Sequence, residues 1–207
     1  MDETASDEEL MQRYRDGDAT AFDVLYTRHR GPLFRYFLRM AGSAAVAEEL
    51  FQDVWMNLIR ARSRYQRRAK FTTWLYRMAH NRLVDHYRRT ASGAAFAVSS
   101  DPEDDAMTAV PDEPLREPEN AFERRRLAAR LIDALAGLPE VQREAFLLRQ
   151  EGGMSLEEIA AATDVSLETA KSRVRYAVAK LRRRLTDLDL GAETNRSRSD
   201  HGSTGHR

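Results

Sequence analysis

Between Ser155 and Leu185 the chain reads SLEEIAAATDVSLETAKSRVRYAVAKLRRRL, the pattern of two helices joined by a tight turn. Ser155 with Glu158 three residues on makes a capping box that opens the first helix, with Leu156, Ile159 and Ala160 as its buried stripe. Thr163, Asp164, Val165 and Ser166 form the turn; Ser166 suits the cap of the second helix, and Glu168 sits in its positive first turn. On that helix Ala170, Val174, Val178, Leu181 and Leu185 recur at helical spacing. Seven bases (Lys171, Arg173, Arg175, Lys180, Arg182, Arg183, Arg184) stand there against the single acid Glu168. A charge row on a helix is ordinarily a solvated face, but an excess that cannot be paired locally calls for an external anion. The small residues Ala160, Ala161 and Ala162 allow close helix crossing before the turn. Together these features point to a helix-turn-helix that holds its second helix in a DNA major groove.

A second centre of charge lies between Arg60 and Arg89, where ten bases face Asp85 alone. Tyr65, Phe71, Trp74, Tyr76 and Tyr87 are interleaved with them. Attraction for the backbone combined with stacking on aromatic rings is how single-stranded nucleic acid is held. Phe71, Leu75, Met78, Leu83 and Tyr87 share one helical face and fit a core, which leaves Trp74, Tyr76, His80 and Asn81 as the contact candidates; Trp74 suits core and ligand equally. Asn81 can both donate to and accept from a base edge.

The rest of the chain bounds the answer. Its 207 residues, 42% of them apolar, fit two small domains, and the net charge of zero hides acids and bases segregated along the sequence. Without cysteine there is no disulfide or thiolate metal site, and His201 and His206 are too isolated to suggest a metal. The acidic start MDETASDEEL has no apolar core of the secretory kind, and no run approaches the ~20 apolar residues of a membrane span. A cytoplasmic protein without cofactor is expected.

Asp7 to Tyr14 form a short amphipathic helix ending at the turn Asp16-Gly17-Asp18. A longer pattern follows through Phe22, Leu25, Tyr26, Leu33, Phe34 and Phe37, with a kink or break expected at Gly31-Pro32 and the kink favoured because the stripe resumes on one face. After Gly42-Ser43 a third helix carries Ala47, Leu50, Phe51, Val54, Trp55 and Leu58 on one side and Glu48, Glu49, Gln52, Asp53 and Asn57 on the other. Ser99 to Glu123 is acidic and interrupted by four prolines, the composition of an extended linker, and its sign resembles a nucleic-acid backbone. Helix signals return at Phe122 with Leu127, Leu131, Leu135 and Leu138; a new start follows at Pro139, with Val141, Ala145 and Leu148 in its core, and Gly152-Gly153 ends it. The divisions are 1–92, 93–122 (linker), 123–190 and a tail at 191–207, polar, without period and read as disordered.

In this order the segments resemble bacterial RNA polymerase sigma factors of the extracytoplasmic-function (ECF) group. GDATAFDVLYTRHRGPLFRYFLRM, AEELFQDVWMNLIRAR and FTTWLYRMAHNRLVDHYRR are similar to the sigma-two domain; LPEVQREAFLLRQEGGMSLEEIAAATDVSLETAKSRVRYAVAKLRRRL is similar to sigma-four. The resemblance implies an all-α protein of two helical domains on an extended acidic linker. It implies docking of Glu49, Gln52, Asp53, Trp55, Met56 and Asn57 on the clamp helices of core polymerase. Lys70, Thr72, Trp74, Arg77, His80, Asn81 and Arg82 would melt the minus-ten element and hold a flipped base of the non-template strand. Ser166, Glu168, Thr169, Lys171, Ser172, Arg173, Arg175 and Tyr176 would meet the minus-thirty-five element, Arg173 at phosphate. The linker would thread toward the RNA exit channel, and an anti-sigma factor is an implied partner. A sigma factor catalyses no bond change, and the carboxylate cluster, activated nucleophile or phosphate-cradling loop of a nucleic-acid enzyme is missing. The alternative is a stand-alone helix-turn-helix regulator that does not bind polymerase, which leaves the basic aromatic segment unexplained.

Overall fold

The computed structural model describes residues 4–93 and 118–199, with side chains placed for 4–90 and 126–186. Its described elements are helices: α1 (Asp7–Arg15), α2 (Ala19–Ala41), α3 (Ala44–Ala61), a 3-10 turn (Arg62–Arg64), α4 (Phe71–Gly93), α5 (Pro118–Ala136), α6 (Glu140–Gln150), α7 (Leu156–Thr163) and α8 (Leu167–Ser199). Local chemistry sets several of the boundaries. Asp18 caps α2 by accepting from the Thr20 amide, and Ser43 caps α3 through the Val46 amide. Gly42 ends α2 at φ 70°, a left-handed conformation that costs glycine nothing.

The α3 stripe is buried throughout, as its spacing predicts: Ala47, Leu50, Phe51, Val54, Trp55 and Leu58 all lie inside. They pack on Leu25, Leu33, Tyr36 and Phe37 of α2, while Phe71, Leu75, Ala79 and Leu83 close the layer from α4. An aromatic cluster fixes the crossing, with the Trp55 ring edge-on to Phe22 at 5.7 Å and to Tyr26 at 5.0 Å. Each fully buried side chain of this size contributes about 1.5–3 kcal/mol. In the second half α6 and α7 pack against α8 through Leu147, Leu148, Ile159, Ala162, Ala170, Ala177 and Leu181.

At Gly31-Pro32, where the sequence favours a kink over a break, α2 is continuous, which excludes only the break; Leu33, Tyr36 and Phe37 are held in the core just beyond the proline. Several boundaries differ from the sequence expectation. Helix α5 opens at Pro118, four residues before Phe122, with proline at the first position where no amide is needed. Helix α8 continues through Gly191 to Ser199, so the tail placed at 191–207 is helical over its first part; a lone glycine costs a helix about 1 kcal/mol and stops it only when it adopts a left-handed cap. Residues 94–117, which hold most of the acidic linker, and 200–207 lie outside the described residues. Leu127 and Val141, expected in the core, are exposed at 56% and 45%; helical spacing identifies a stripe but not where its cover ends.

The two helical domains pack on each other: α4 lies against α7, and α2 against α5 and α6. No described helix is long and apolar enough to cross a membrane.

Acid should loosen this fold. The Asp18 carboxyl is held down to about 2 by hydrogen bonds from Thr20 and Arg13. Asp7 is also lowered: burial pushes it up, but hydrogen bonds from His29 and Arg28 outweigh that. Groups lowered on folding stabilise above their unfolded pKa and lose that contribution as pH falls through the folded value. The urea midpoint is therefore expected to be flat above about pH 5 and to fall between about pH 4 and pH 2. Asp18→Asn, which keeps the cap but not the charge, should flatten part of that slope.

Candidate nucleic-acid and polymerase interfaces

The helix-turn-helix forms from the residues that signalled it. Ser155 accepts from the Glu158 amide at 3.2 Å while the Glu158 carboxylate accepts from the Ser155 amide at 2.8 Å. Helix α7 stops at Asp164, whose φ of 53° is the one left-handed non-glycine among the described residues, a conformation aspartate tolerates better than most. Ser166 then caps α8 through the Thr169 amide at 3.1 Å, and its hydroxyl also bonds that of Thr169 at 2.8 Å. Ala170, Ala177 and Leu181 seat α8 on the domain. Its opposite side leaves Leu167, Glu168, Lys171, Arg175 and Tyr176 exposed, with Ser172 and Arg173 flanking them, half-buried. The Arg175 guanidinium lies 5.0 Å from the centre of the Tyr176 ring, so the two form one cationic-aromatic unit. The residues assigned to the upstream element thus share one face, which can enter a groove without distorting the domain.

On α4 the assigned residues separate. Arg77 and Asn81 are exposed one turn apart, and Arg88 and Arg89 are exposed further along the helix. Trp74 is half-buried, its ring 5.1 Å from Tyr65 and 6.2 Å from Phe71, so it is part wall and part surface. Thr72 is half-buried. Tyr76, a contact candidate from its sequence, is only 1% exposed and belongs to the core. Burial pushes the Tyr76 hydroxyl well above the usual phenol range, and it has no hydrogen-bond partner.

Three others are held by acids. Lys70 Nζ meets Glu158 at 2.8 Å, His80 Nδ1 meets Glu144 Oε1 at 2.7 Å, and Arg82 Nε donates to Asp53 at 2.7 Å. The contact with Glu158 raises Lys70; Glu158 is lowered, because Lys70 and the Ser155 amide outweigh the upward push of its burial. The Asp53–Arg82 pair joins a residue assigned to polymerase to one assigned to DNA, so α3 and α4 are linked electrostatically across their packed faces.

Of the α3 set, Glu49, Gln52, Met56 and Asn57 are exposed, Met56 at 47%. Trp55 is not: at 5% exposure it is a core residue, and its place in a partner surface is corrected accordingly. An exposed methionine amid polar groups gives the face a flexible apolar centre.

Sequence reasoning missed Tyr36, Arg35, Arg39, Glu144 and Glu151. Tyr36 Oη donates to Glu144 Oε1 at 2.8 Å, Arg35 Nε donates to Glu151 at 2.9 Å, and Arg39 pairs with Glu151. These partners are more than a hundred residues apart, so no local spacing could announce them.

The profile of sigma-70 region 2 matches residues 25–93, and that of sigma-70 region 4 matches residues 128–181. The RNA polymerase sigma factor CarQ of Myxococcus xanthus is 34% identical over 180 residues, covering 87% of this chain and 98% of that one. The ECF RNA polymerase sigma factor RpoE of Cereibacter sphaeroides is 34% identical over 182 residues, covering 86% and 93%. Among solved structures, CnrH in complex with the cytosolic domain of CnrY overlays with a TM-score of 0.62 at 23% identity, covering 89% of this chain and 99% of that one. RpoE in complex with the anti-sigma factor NepR from Bartonella quintana gives 0.60 at 21%, covering 80% and 96%. At such identities these overlays speak for the fold. Sequence kinship over nearly the whole chain and the two matched regions agree with the two-domain geometry: the chain belongs to the ECF group of RNA polymerase sigma factors, the subunits that confer promoter specificity on bacterial RNA polymerase.

Proposed function

We propose a division of that activity among the faces described above. The exposed side of α8 (Glu168, Lys171, Arg175 and Tyr176, with Ser172) reads the minus-thirty-five element, and Arg173 grips phosphate. Ser166 and Thr169 build the helix end that faces the backbone. Arg77 and Asn81 on α4, with Lys70, Thr72, Trp74, His80 and Arg82 around them, receive the non-template strand of the minus-ten element. Glu49, Gln52, Asp53, Met56 and Asn57 dock on the clamp helices of core polymerase, and Trp55 supports them from beneath. The observation that carries this reading is the separation of two basic faces onto two helical domains, with a polar, non-basic face on α3 beside one of them. Polymerase performs the chemistry; this chain binds and positions. Kinship also suggests an anti-sigma protein as a partner, as RpoE of Bartonella quintana has in NepR. A stand-alone regulator would have no use for the α4 and α3 faces.

Run-off transcription with core polymerase on a promoter library tests the assignment. Lys171→Ala or Arg175→Ala is expected to relax selection at one or two upstream positions, by about 1–3 kcal/mol per base contact, while minus-ten selection stays as it was. Unchanged upstream selection would remove those side chains from base readout, and no transcript with any promoter would sink the whole assignment.

A further inference from the structure

The first helical residue of α8 is a leucine left in solvent: Leu167 is 46% exposed. Val165, two residues earlier, packs against the core, and Ala170, three residues later, is fully buried, so apolar cover lies close on either side and stops short of Leu167. Local structure does not call for leucine there either, because the first turn of a helix favours acids and small polar groups. Among the described residues of α8, the large apolar side chains that stand exposed are Leu167 and Tyr176, and the Tyr176 ring already carries the Arg175 guanidinium. The hydroxyls beside Leu167 are committed to each other: Ser166 Oγ accepts from the Thr169 amide at 3.1 Å and bonds Thr169 Oγ1 at 2.8 Å. The opening turn therefore presents Leu167 and Glu168 outward, with Lys171 Nζ 3.8 Å from the Glu168 carboxylate.

A recognition helix lies in the major groove with its N-terminal residues at the base edges. Of the four bases, thymine alone puts an apolar group on that edge, its C5 methyl, and an apolar side chain is the partner such a group takes. We propose that Leu167 is a specificity-determining residue whose side chain packs on the C5 methyl of one thymine in the minus-thirty-five element. The proposal rests on the assignment of α8 to that element. The contact involves no hydrogen bond, so it discriminates by the methyl alone. Burying one group of that size is worth about fourfold in binding, a modest selection added to the polar readout by Lys171 and Arg175.

The test replaces thymine by deoxyuridine, which pairs with adenine in the same way and lacks only the methyl. Holoenzyme assembled with core polymerase is given promoters that the wild-type chain selects from a library, each upstream thymine of either strand being exchanged singly. Run-off product is read at subsaturating holoenzyme. One exchange should lower wild-type transcription about fourfold. Leu167→Ala should transcribe the exchanged and unexchanged templates alike and lose the thymine preference at that position, whereas Leu167→Met, which stays apolar, should keep the difference. A selected upstream element without thymine, or a wild type indifferent to every exchange, overturns the proposal. So does a Leu167→Ala chain that still discriminates, because another group then touches the methyl; if its transcription also falls by one factor on all templates, Leu167 meets a protein surface instead of DNA. Lys171→Ala in the same library separates the failures. If it relaxes upstream selection where Leu167→Ala does not, α8 keeps the minus-thirty-five element and only the methyl contact falls; if neither does, the assignment of α8 falls as well.

Discussion

Asn81→Ala is expected to lower the rate of promoter opening about five- to 150-fold, the loss of about 1–3 kcal/mol that one base-edge contact supplies. Polymerase affinity, assigned to α3, should be unchanged. Asn81 is exposed on α4 beside Arg77 and the half-buried Trp74, so its amide can meet an unstacked base while the ring and the guanidinium meet its face and its phosphate. Removing a base from the stack costs a few kcal/mol, which stacking and edge hydrogen bonds recover only if the receiving groups are in place. A promoter with the minus-ten region already unpaired removes that cost. On such a template the variant should approach wild-type transcription, measured as full-length run-off product. Failure of the unpaired template to restore it would exclude Asn81 from strand capture and place its effect in folding or docking.

Glu144→Ala is expected to weaken the packing of the two domains by about 2 kcal/mol, roughly a thirtyfold shift toward separation. Glu144 is 5% exposed, and one oxygen, Oε1, takes both the Tyr36 hydroxyl and His80. Alanine leaves the fully buried Tyr36 hydroxyl without an acceptor, whereas taking the charge away also returns its desolvation cost; the two effects oppose, which keeps the loss below the 3–5 kcal/mol of a broken buried ion pair. Tyr36 carries the same signature, its phenol pushed well above the usual range by burial and by the neighbouring carboxylate. Tyr36→Phe, which leaves Glu144 with His80, should cost only about 1 kcal/mol. Amide exchange in α4 and α7 measures both. Equal protection in the two variants would mean that the carboxylate contributes nothing beyond its bond to the phenol.

The parts of the molecule legible in the sequence share one property: their cause is local. The Ser155–Glu158 box, the Ser166 cap, the α3 stripe and the exposed line of Lys171 and Arg175 follow from spacing within one or two helical turns, and the structure has each of them. The family was legible for the same reason, since its segments are runs of such local patterns in a fixed order. Where neighbours in space are distant in sequence, legibility ends. Tyr76 looks like a surface aromatic in a basic context, yet it is core, because amphipathic rings take whichever role the opposing layer offers; Trp55 is core too, as its spacing in the α3 stripe predicts, and only the family resemblance places it on a surface. Leu127 and Val141 continue apolar stripes past the end of their cover.

Local patterns in the sequence settled most of the helices, though not the stretch after Gly191 or the start of α5, and they settled which faces are basic and to which family the chain belongs. Tertiary structure alone decided that the two domains meet, and through which side chains. Helix and cap are settled by energies acting over a few residues, which the order of side chains encodes directly. Pairs such as Tyr36–Glu144 and Arg35–Glu151 depend on how two finished surfaces fit, and no periodicity in either surface specifies its partner.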